Sequence, residues 1–211
     1  VTDIDDARLS RAASILTPEE AEKNGVKLVY LNTSKPENDN DYIKSLTGGA
    51  GFDDVFVFAP VKPVVEQADR LLARDGCLNF FAGPTNTEFS ASLNFYNVHY
   101  SMTHIVGTSG GNTDDMRECL TMVAEGKINP AAMITHVGGL NSTAETILNL
   151  PNIPGGKKLI YNHINMPLTA ISDFASSDDP LLKKLGEIVE KNNGLWCLEA
   201  EKYLLENAKH I

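Results

Sequence analysis

The chain has 211 residues, of which 42% are hydrophobic and 22% are charged, a composition typical of a globular domain and not of a disordered chain. Its 28 acidic residues outnumber 18 basic ones, which gives a formal charge of −10 and argues against binding to nucleic acid or to an anionic membrane surface. No apolar run approaches the about 18 residues that a membrane span needs, so a cytoplasmic globular protein is predicted.

The N-terminal third predicts a strand end followed by helices. Residues 1–4 indicate the end of a strand, and Asp5 can cap a helix that runs to about residue 16. The sequence Thr17-Pro18-Glu19-Glu20 is typical of a second helix start. Residues 26–31 are predicted to form a buried strand, and a short helix is expected over residues 41–46.

The next segment predicts a strand, a helix and a strand. Residues 55–59 (VFVFA) are continuously apolar, as in a strand that is covered on both faces. A helix is predicted from Pro63 to Gly76, and residues 77–82 (CLNFFA) form the next strand. This βαβ alternation favours an α/β fold with a doubly wound, Rossmann-type parallel sheet.

The remaining residues predict more of both element types. One or two strands are expected over residues 92–106, and Asn112 caps a helix. The buried stripe of that helix is predicted to contain Met116, Cys119, Leu120 and Val123. Further predictions are a strand over 133–136, a helix over 144–150, a strand over 158–164, and two helices from Asp179 to Ala208.

The acid at the end of the first strand is the most informative candidate site residue. In a Rossmann sheet, the second strand ends in an acid that binds the ribose hydroxyls of the cofactor, and Asp3 fits that position. The glycine fingerprint GxGxxG, expected about 20 residues before this acid, does not occur in the chain. Either the fold is a different one, or the first strand is missing and the chain is part of a longer gene product, which is the expectation here.

Neither a metal site nor a catalytic constellation is evident. The five histidines and three cysteines are dispersed, without HExxH or CxxC spacing. The glycine-rich stretch 107–111 lacks the Lys and Ser/Thr of a phosphate-binding P-loop, which favours a simple connection.

In combination, these segments resemble the C-terminal half of a zinc-type medium-chain dehydrogenase/reductase. VTDIDDARL resembles the second Rossmann strand and its helix, GFDDVFVFAP the fourth strand, RDGCLNFFAG the fifth and HIVGT the sixth. GKINPAAMITHVGGLNSTAETILNL and GGKKLIY resemble the closing segment of the catalytic domain. Within this superfamily, the chain looks most like reductases of sugar phosphates such as L-sorbose 1-phosphate. The segments that carry this likeness are LVYLNTS, MITHVGGLN and the helical tail.

The resemblance implies three segments: a partial NAD(P)-binding Rossmann domain (1–107), the C-terminal part of a GroES-like catalytic domain (108–174) and a helical tail (175–211). It implies hydride transfer between NAD(H) or NADP(H) and a secondary alcohol or ketone. The family's zinc ligands and proton relay lie in the N-terminal half, so the resemblance places no metal ligand and no catalytic residue here. The chain alone is expected to be inactive, and the longer enzyme to be a homo-oligomer that pairs through residues 92–106.

The resemblance also implies which residues contact the cofactor. Asp3 would bind the ribose hydroxyls, and its negative charge favours NAD(H) over NADP(H). Arg8 would lie near the adenine and could instead accommodate a 2′-phosphate. Phe58 and Ala59 would lie beside the cofactor at the end of the fourth strand. Phe81, Ala82 and Gly83 would line the nicotinamide ribose, and backbone groups of His104 and Val106 would contact the carboxamide.

Two other classes stay open. An S-adenosylmethionine-dependent methyltransferase also has an acid at the end of its second strand, and a non-catalytic nucleotide-binding or interaction domain would naturally lack metal ligands. Titrations with NADH and with S-adenosylmethionine distinguish a dehydrogenase from a methyltransferase. The upstream reading frame distinguishes part of a longer enzyme from a non-catalytic domain.

Overall fold

The computed structural model describes all residues, 1–211. They divide into two compact units, Val1–Met116 and Arg117–Ile211. None of the helices combines the length and the apolarity that a bilayer crossing requires.

The first unit alternates helices with short parallel strands. Strand β1 pairs in parallel with β2, and β3, β4 and β5 form a second parallel sheet in that order. No strand of the chain joins the two sheets, but the parallel α/β class is confirmed. The elements are β1 (Thr2–Asp3), α1 (Asp6–Ile15), α2 (Pro18–Lys23), β2 (Leu31–Asn32), α3 (Asn40–Ser45), β3 (Phe52–Val57), α4 (Lys62–Leu71), β4 (Leu72–Phe80), α5 (Phe95–Tyr100), β5 (His104–Gly107) and α6 (Thr113–Ala124).

Side-chain caps set the helix starts that the sequence predicted. The Asp5 carboxylate accepts a hydrogen bond from the Ala7 N–H at 2.8 Å, and the Thr17 hydroxyl accepts one from the Glu20 N–H at 3.1 Å. Each cap satisfies a backbone donor that the first helical turn leaves free. These signals are local, which is why the sequence alone located α1 and α2.

One face of the β3–β4–β5 sheet holds the core of this unit. Val65 and Ala68 of α4 pack with Val57 and Leu78 of the sheet. Successive side chains of a strand point to opposite faces, and Phe56 is 56% exposed on the other face. The prediction that this strand is covered on both faces is therefore wrong for this chain, because the elements of the unit cover only one.

Three other predictions for the first unit need correction. Of the predicted strand 26–31, only Leu31 lies in the observed strand β2, which continues to Asn32 and pairs with the two residues of β1. Helix α4 ends at Leu71 and not at Gly76, since Leu72 is extended and begins β4. Residues 92–106 contain helix α5 before strand β5, because Asn94 caps a helix by accepting a hydrogen bond from the Tyr96 N–H.

The stripe predicted to be buried on α6 is exposed. Met116 is 63% exposed and Leu120 is 70% exposed, and Cys119 and Val123 are exposed as well. The helix itself is confirmed: Asn112 caps it, and Gly126 follows its end with φ +71°. The helical spacing correctly identified an apolar face, but nothing in this chain covers it.

The second unit combines a small mixed sheet with two long helices. In the three-stranded sheet, β6 pairs in parallel with β7 and antiparallel with β9, while β8 pairs antiparallel with β10. The strand predicted over 133–136 corresponds to β6, which extends further toward the C-terminus. The single strand predicted over 158–164 is two separate strands, β7 and β8. The elements are β6 (Ile134–Gly139), α7 (Thr143–Asn149), β7 (Lys157–Tyr161), β8 (Ile164–Asn165), β9 (Thr169–Ala170), α8 (Pro180–Lys191), α9 (Leu198–Asn207) and β10 (Lys209–His210).

The two C-terminal helices supply much of the core of this unit. Leu185 of α8 and Leu204 of α9 are fully buried in one cluster with Val137 of β6 and Phe174. The cluster is joined by a polar network, in which the Tyr161 hydroxyl donates to Glu201 Oε2 at 2.6 Å and accepts from Trp196 Nε1 at 3.0 Å. Burial raises the pKa of Tyr161, so this hydroxyl keeps its proton in the network.

The division of the chain into three segments, with boundaries at residues 107 and 174, stays a prediction.

Candidate functional site

The carboxyl ends of the three parallel strands in the first unit meet at one edge of their sheet. Val57 is in register with Phe80, and Phe80 is in register with Gly107, so β3, β4 and β5 end side by side. In open α/β sheets, ligands bind in the crevice just beyond this edge. The chain segments that leave these three strands therefore form the candidate site.

A pocket of about 630 Å³ lies at this edge, lined by residues 80–84 after β4 and residues 107–110 after β5. Its volume falls in the range of about 300–1,000 Å³ that is usual for small-molecule sites. The Phe81 ring contacts the Phe58 ring edge-to-face, with 5.5 Å between ring centroids. The pocket thus combines an aromatic wall with backbone groups of a glycine-containing loop.

Two glycines keep the backbone of this pocket open. Gly110 has φ +89°, a left-handed conformation that L-residues with side chains rarely adopt. A Cβ at Gly83 would meet no atom within 4 Å, so this position has free space toward the solvent. A bound group could therefore approach the backbone closely at both segments.

The structure brings most of the predicted nicotinamide-side residues together. Phe81, Ala82 and Gly83 line the pocket, and Phe58 and Ala59 leave the neighbouring strand end. Val106 directly precedes Gly107, which lines the pocket.

His104 lies elsewhere. It begins β5 at the opposite end of the strand, where its Nε2 lies 2.9 Å from Asp75 Oδ1. Ile105 and Val106 lie between it and the pocket residue Gly107, which at about 3.3 Å per residue puts the backbone of His104 about 10 Å from the pocket edge. The structure therefore does not bring His104 to the pocket.

Asp3 and Arg8 form a second part of the candidate site, at the carboxyl end of β1. Asp3 Oδ1 accepts hydrogen bonds from the N–H groups of Ile4 at 2.7 Å and Asp5 at 3.0 Å, which fixes the carboxylate. Its Oδ2 lies 3.7 Å from Arg8 Nη1, and Arg8 Nε lies 3.6 Å from Asp5 Oδ2. Neither Asp3 nor Arg8 lines the 630 Å³ pocket.

Sequence reasoning missed the residue that holds the Asp3 segment. Asn32, at the end of β2, is buried, and its Nδ2 donates to the Ile4 carbonyl at 3.2 Å and to Asp6 Oδ1 at 2.9 Å. Its Oδ1 accepts from the Ser34 N–H at 2.9 Å. The sequence did offer a signal, because Asn32 directly follows the apolar-rich residues 26–31. An amide that is buried with such a run needs hydrogen-bond partners.

A further polar atom is available on the sheet. Asn79 Oδ1 is buried and has no hydrogen-bond partner, and Asn79 directly precedes the pocket residue Phe80. A buried acceptor without a partner is costly. Asn79 does not itself line the pocket, because its side chain and that of Phe80 point to opposite faces of the strand.

The residues of this chain do not fit a metal centre. No group of three or more His, Cys, Asp or Glu side chains is placed to hold a metal ion, and the three cysteines are free. A catalytic zinc needs three converging protein ligands and an open position.

A parallel α/β unit with a crevice beyond its strand ends and a carboxylate fixed at the end of β1 defines a Rossmann-type fold. The sequence profile of the family described as zinc-binding dehydrogenase matches residues 1–125. The chain therefore belongs to the zinc-binding dehydrogenase family.

Comparisons with individual proteins agree with this membership. The chain is 58% identical to mannitol-1-phosphate 5-dehydrogenase of Aliivibrio fischeri over 98% of its own length and 49% of that protein. It is 50% identical to L-sorbose 1-phosphate reductase of Klebsiella pneumoniae over 83% of its length and 41% of that protein. A zinc-binding dehydrogenase (gutB) from Clostridium scindens has the same fold, with a TM-score of 0.60 and 21% identity over 77% of this chain and 42% of that one. The chain thus spans about half the length of the curated relatives it matches.

Proposed function

We propose that this chain is the cofactor-binding half of a longer NAD(P)-dependent oxidoreductase that interconverts the secondary alcohol and the ketone of a sugar phosphate. The observation that carries the proposal is the aromatic-walled pocket at the carboxyl edge of a parallel sheet in a member of this family. Two relatives named for mannitol 1-phosphate and L-sorbose 1-phosphate support the substrate class.

A bound nicotinamide cofactor supplies the hydride that is transferred. The residues of this chain bind and orient it. Phe58 and Phe81 offer apolar rings for contact with the cofactor, and the open space at Gly83 lets a ribose or an amide approach the backbone there. Asp3 would accept hydrogen bonds from the ribose hydroxyls through Oδ2, the oxygen that lies 3.7 Å from Arg8 Nη1.

The experiment that tests this function is a fluorescence titration of the chain with NADH and, separately, with S-adenosylmethionine. We expect saturable binding of NADH and none of S-adenosylmethionine. Phe81→Ala should weaken NADH binding, while Phe95→Ala, an exposed phenylalanine outside the pocket, should not. Binding of S-adenosylmethionine alone would favour the methyltransferase alternative, and binding of neither would favour an interaction domain.

Asp3→Ala in the longer enzyme is expected to weaken NADH binding by about tenfold, because a charge-assisted hydrogen bond contributes about 1.5–3 kcal/mol. It should also reduce the preference for NADH over NADPH, since the carboxylate repels a 2′-phosphate. Michaelis constants for both cofactors measure this. Asp53→Ala, at an exposed acid on β3, is the control. Tighter binding of NADPH by the unaltered enzyme would contradict the role of Asp3 and favour phosphate binding by Arg8.

We expect this chain alone to bind no stoichiometric zinc and to reduce no ketose phosphate. Its histidines and cysteines supply no set of three converging ligands. Elemental analysis of the purified chain, together with an assay of sorbose 1-phosphate reduction, tests both statements. One equivalent of zinc with measurable turnover would show that this is the other half of the catalytic machinery.

The longer enzyme is proposed to be a homo-oligomer that pairs through residues 92–106. Strand β5 lies at the edge of its sheet, and Ile105 is 43% exposed there; pairing between two copies removes such an edge. Ile105→Lys should lower the mass measured by light scattering, whereas Leu148→Lys, at an exposed leucine of α7, should not. A monomeric parent at micromolar concentration would contradict the proposal.

We also propose that the protein is located in the cytoplasm. Its three cysteines are free, which supports a reducing compartment.

A further inference from the structure

A second cleft lies wholly inside the second unit and is unrelated to the candidate cofactor pocket. It has a volume of about 500 Å³ and lies between residues 141–149, which include α7, and residues 167–173. His136 of β6 and Ile153 complete its lining. The volume is sufficient for a small ligand.

Hydrogen bonds fix the walls of this cleft. The Ser142 hydroxyl donates to the Gly139 carbonyl at 2.8 Å, and the Thr146 hydroxyl donates to the Ser142 carbonyl at 2.7 Å. Asn141 Oδ1 accepts from the Met166 N–H at 2.8 Å, which ties the start of α7 to the strand β8 segment. The protein's own hydrogen bonds therefore hold the walls of the cleft.

Other polar groups in the cleft remain available. Glu145 and Asn149 line it from α7, and their side chains make no hydrogen bond inside the protein. Asp173 uses only Oδ1, which accepts from the Ser172 hydroxyl at 3.1 Å, and the Asn141 amide Nδ2 is not engaged. The cleft thus offers both acceptors and amide donors.

The charge of the cleft disfavours anions. Two carboxylates, Glu145 and Asp173, line it, and none of its lining residues is a lysine or arginine. The ammonium of the nearby Lys158 keeps its charge but does not line the cleft; it lies 2.8–3.4 Å from four backbone carbonyl oxygens of residues 153–156. A phosphate or carboxylate inside the cleft would meet repulsion from the two carboxylates.

His136 adds a neutral ring. Burial, and then the charge of Lys158, lower its pKa below the ordinary value of 6.5, so the ring is uncharged at neutral pH. Its Nδ1 lies 2.9 Å from the Thr135 hydroxyl, which leaves Nε2 for another partner. A neutral imidazole can either donate or accept one hydrogen bond there.

We propose that this cleft is a binding site for an uncharged polyol or sugar, held through its vicinal hydroxyl groups. Each hydroxyl both donates and accepts, which matches carboxylates on Glu145 and Asp173 next to amides on Asn141 and Asn149. An ammonium ligand would satisfy the carboxylates but leave the amide donors unused. Pro167 and Leu168 supply an apolar wall for the C–H face of such a ligand. The inference does not depend on the proposed oxidoreductase function.

The test is a titration of the ¹⁵N-labelled chain with D-mannitol, followed by two-dimensional NMR of the backbone amides. We expect saturable shifts confined to residues 136–149 and 167–173, with millimolar affinity. Glu145→Gln and Asp173→Asn should each weaken binding by about tenfold, the loss expected for a charge-assisted hydrogen bond. Glu190→Gln, at an exposed acid of α8 outside the cleft, should leave the affinity unchanged.

Parallel titrations with tetramethylammonium and with inorganic phosphate identify the ligand class. Absence of saturable shifts with mannitol, saturation by tetramethylammonium or phosphate instead, or unchanged mannitol affinity in both cleft variants would overturn the proposal. Glu145 is exposed, so its variant keeps the fold, and unchanged spectra outside the cleft verify this. Failure of NADH binding would leave these outcomes unaffected, so the two proposals are tested separately.

Discussion

Leu185→Ala is expected to lower the free energy of unfolding of the second unit by about 2–5 kcal/mol, because truncating a buried leucine loses its burial and leaves a cavity. Leu185 is 0% exposed and packs in one cluster with Phe174, Ile188 and Leu204. Equilibrium denaturation in urea, followed by the fluorescence of Trp196, the only tryptophan, which lies in the same cluster, measures the change.

Leu148→Ala is the matched control for this prediction. Leu148 lies on α7 of the same unit and is 81% exposed, so its truncation should change the stability by less than about 0.5 kcal/mol. Equal effects of the two substitutions would show that α8 is not packed into the core. The comparison thus tests whether the C-terminal helices are part of the second unit or only attached to it.

Gly139→Ala is expected to destabilise the second unit by about 3 kcal/mol or more, because extra atoms in a tightly packed site force backbone shifts. A Cβ at Gly139 would collide with the Ile164 carbonyl and lie 2.5 Å from the Met166 nitrogen. Neither neighbour can move easily, because Ile164 is fully buried and the Gly139 N–H donates to the Met166 carbonyl at 2.9 Å.

Gly83→Ala provides the comparison for this clash. A Cβ at Gly83 would meet no atom within 4 Å, and the φ of Gly83 is not in the left-handed region. The free energy of unfolding of the Gly83→Ala protein should therefore change by only tenths of a kcal/mol. Thermal unfolding monitored by circular dichroism measures both variants. A Gly139→Ala protein that unfolds at the same temperature as the unaltered chain would contradict the close contact between β6 and residues 164–166.

These two expected results concern the second unit, most of which lies outside residues 1–125, the range that the family profile matches. The C-terminal helices contribute Leu182, Leu185, Ala200 and Leu204 to the same cluster as β6 and β8. Their burial there gives the second unit a core of its own. The cleft proposed for a polyol is bordered by β6 and by the chain between β8 and α8, so its shape depends on this packing.

The sequence by itself determined the local elements and their class. The caps Asp5, Thr17, Asn112 and Asp179 locate four helix starts, because a cap is a contact between neighbours in the chain. The two helices predicted from Asp179 to Ala208 correspond to α8 and α9, and the buried Leu182, Leu185, Ile188 and Val189 have the spacing of one helix face. The alternation around residues 52–80 predicted the parallel βαβ unit, and the motifs in order predicted the family.

The tertiary structure alone decided what covers each apolar face and which distant residues meet. The periodicity of α6 predicted an apolar stripe, and VFVFA predicted an apolar strand, but Leu120 and Phe56 are exposed because burial depends on what packs against them. The candidate cofactor residues were predicted through the resemblance, yet the strand register places His104 at the far end of β5. Asn32 reaches Ile4 across 28 residues, and Asn141 reaches Met166 across 25. Such long-range hydrogen bonds follow from how the strands pair and pack, and no local pattern encodes them.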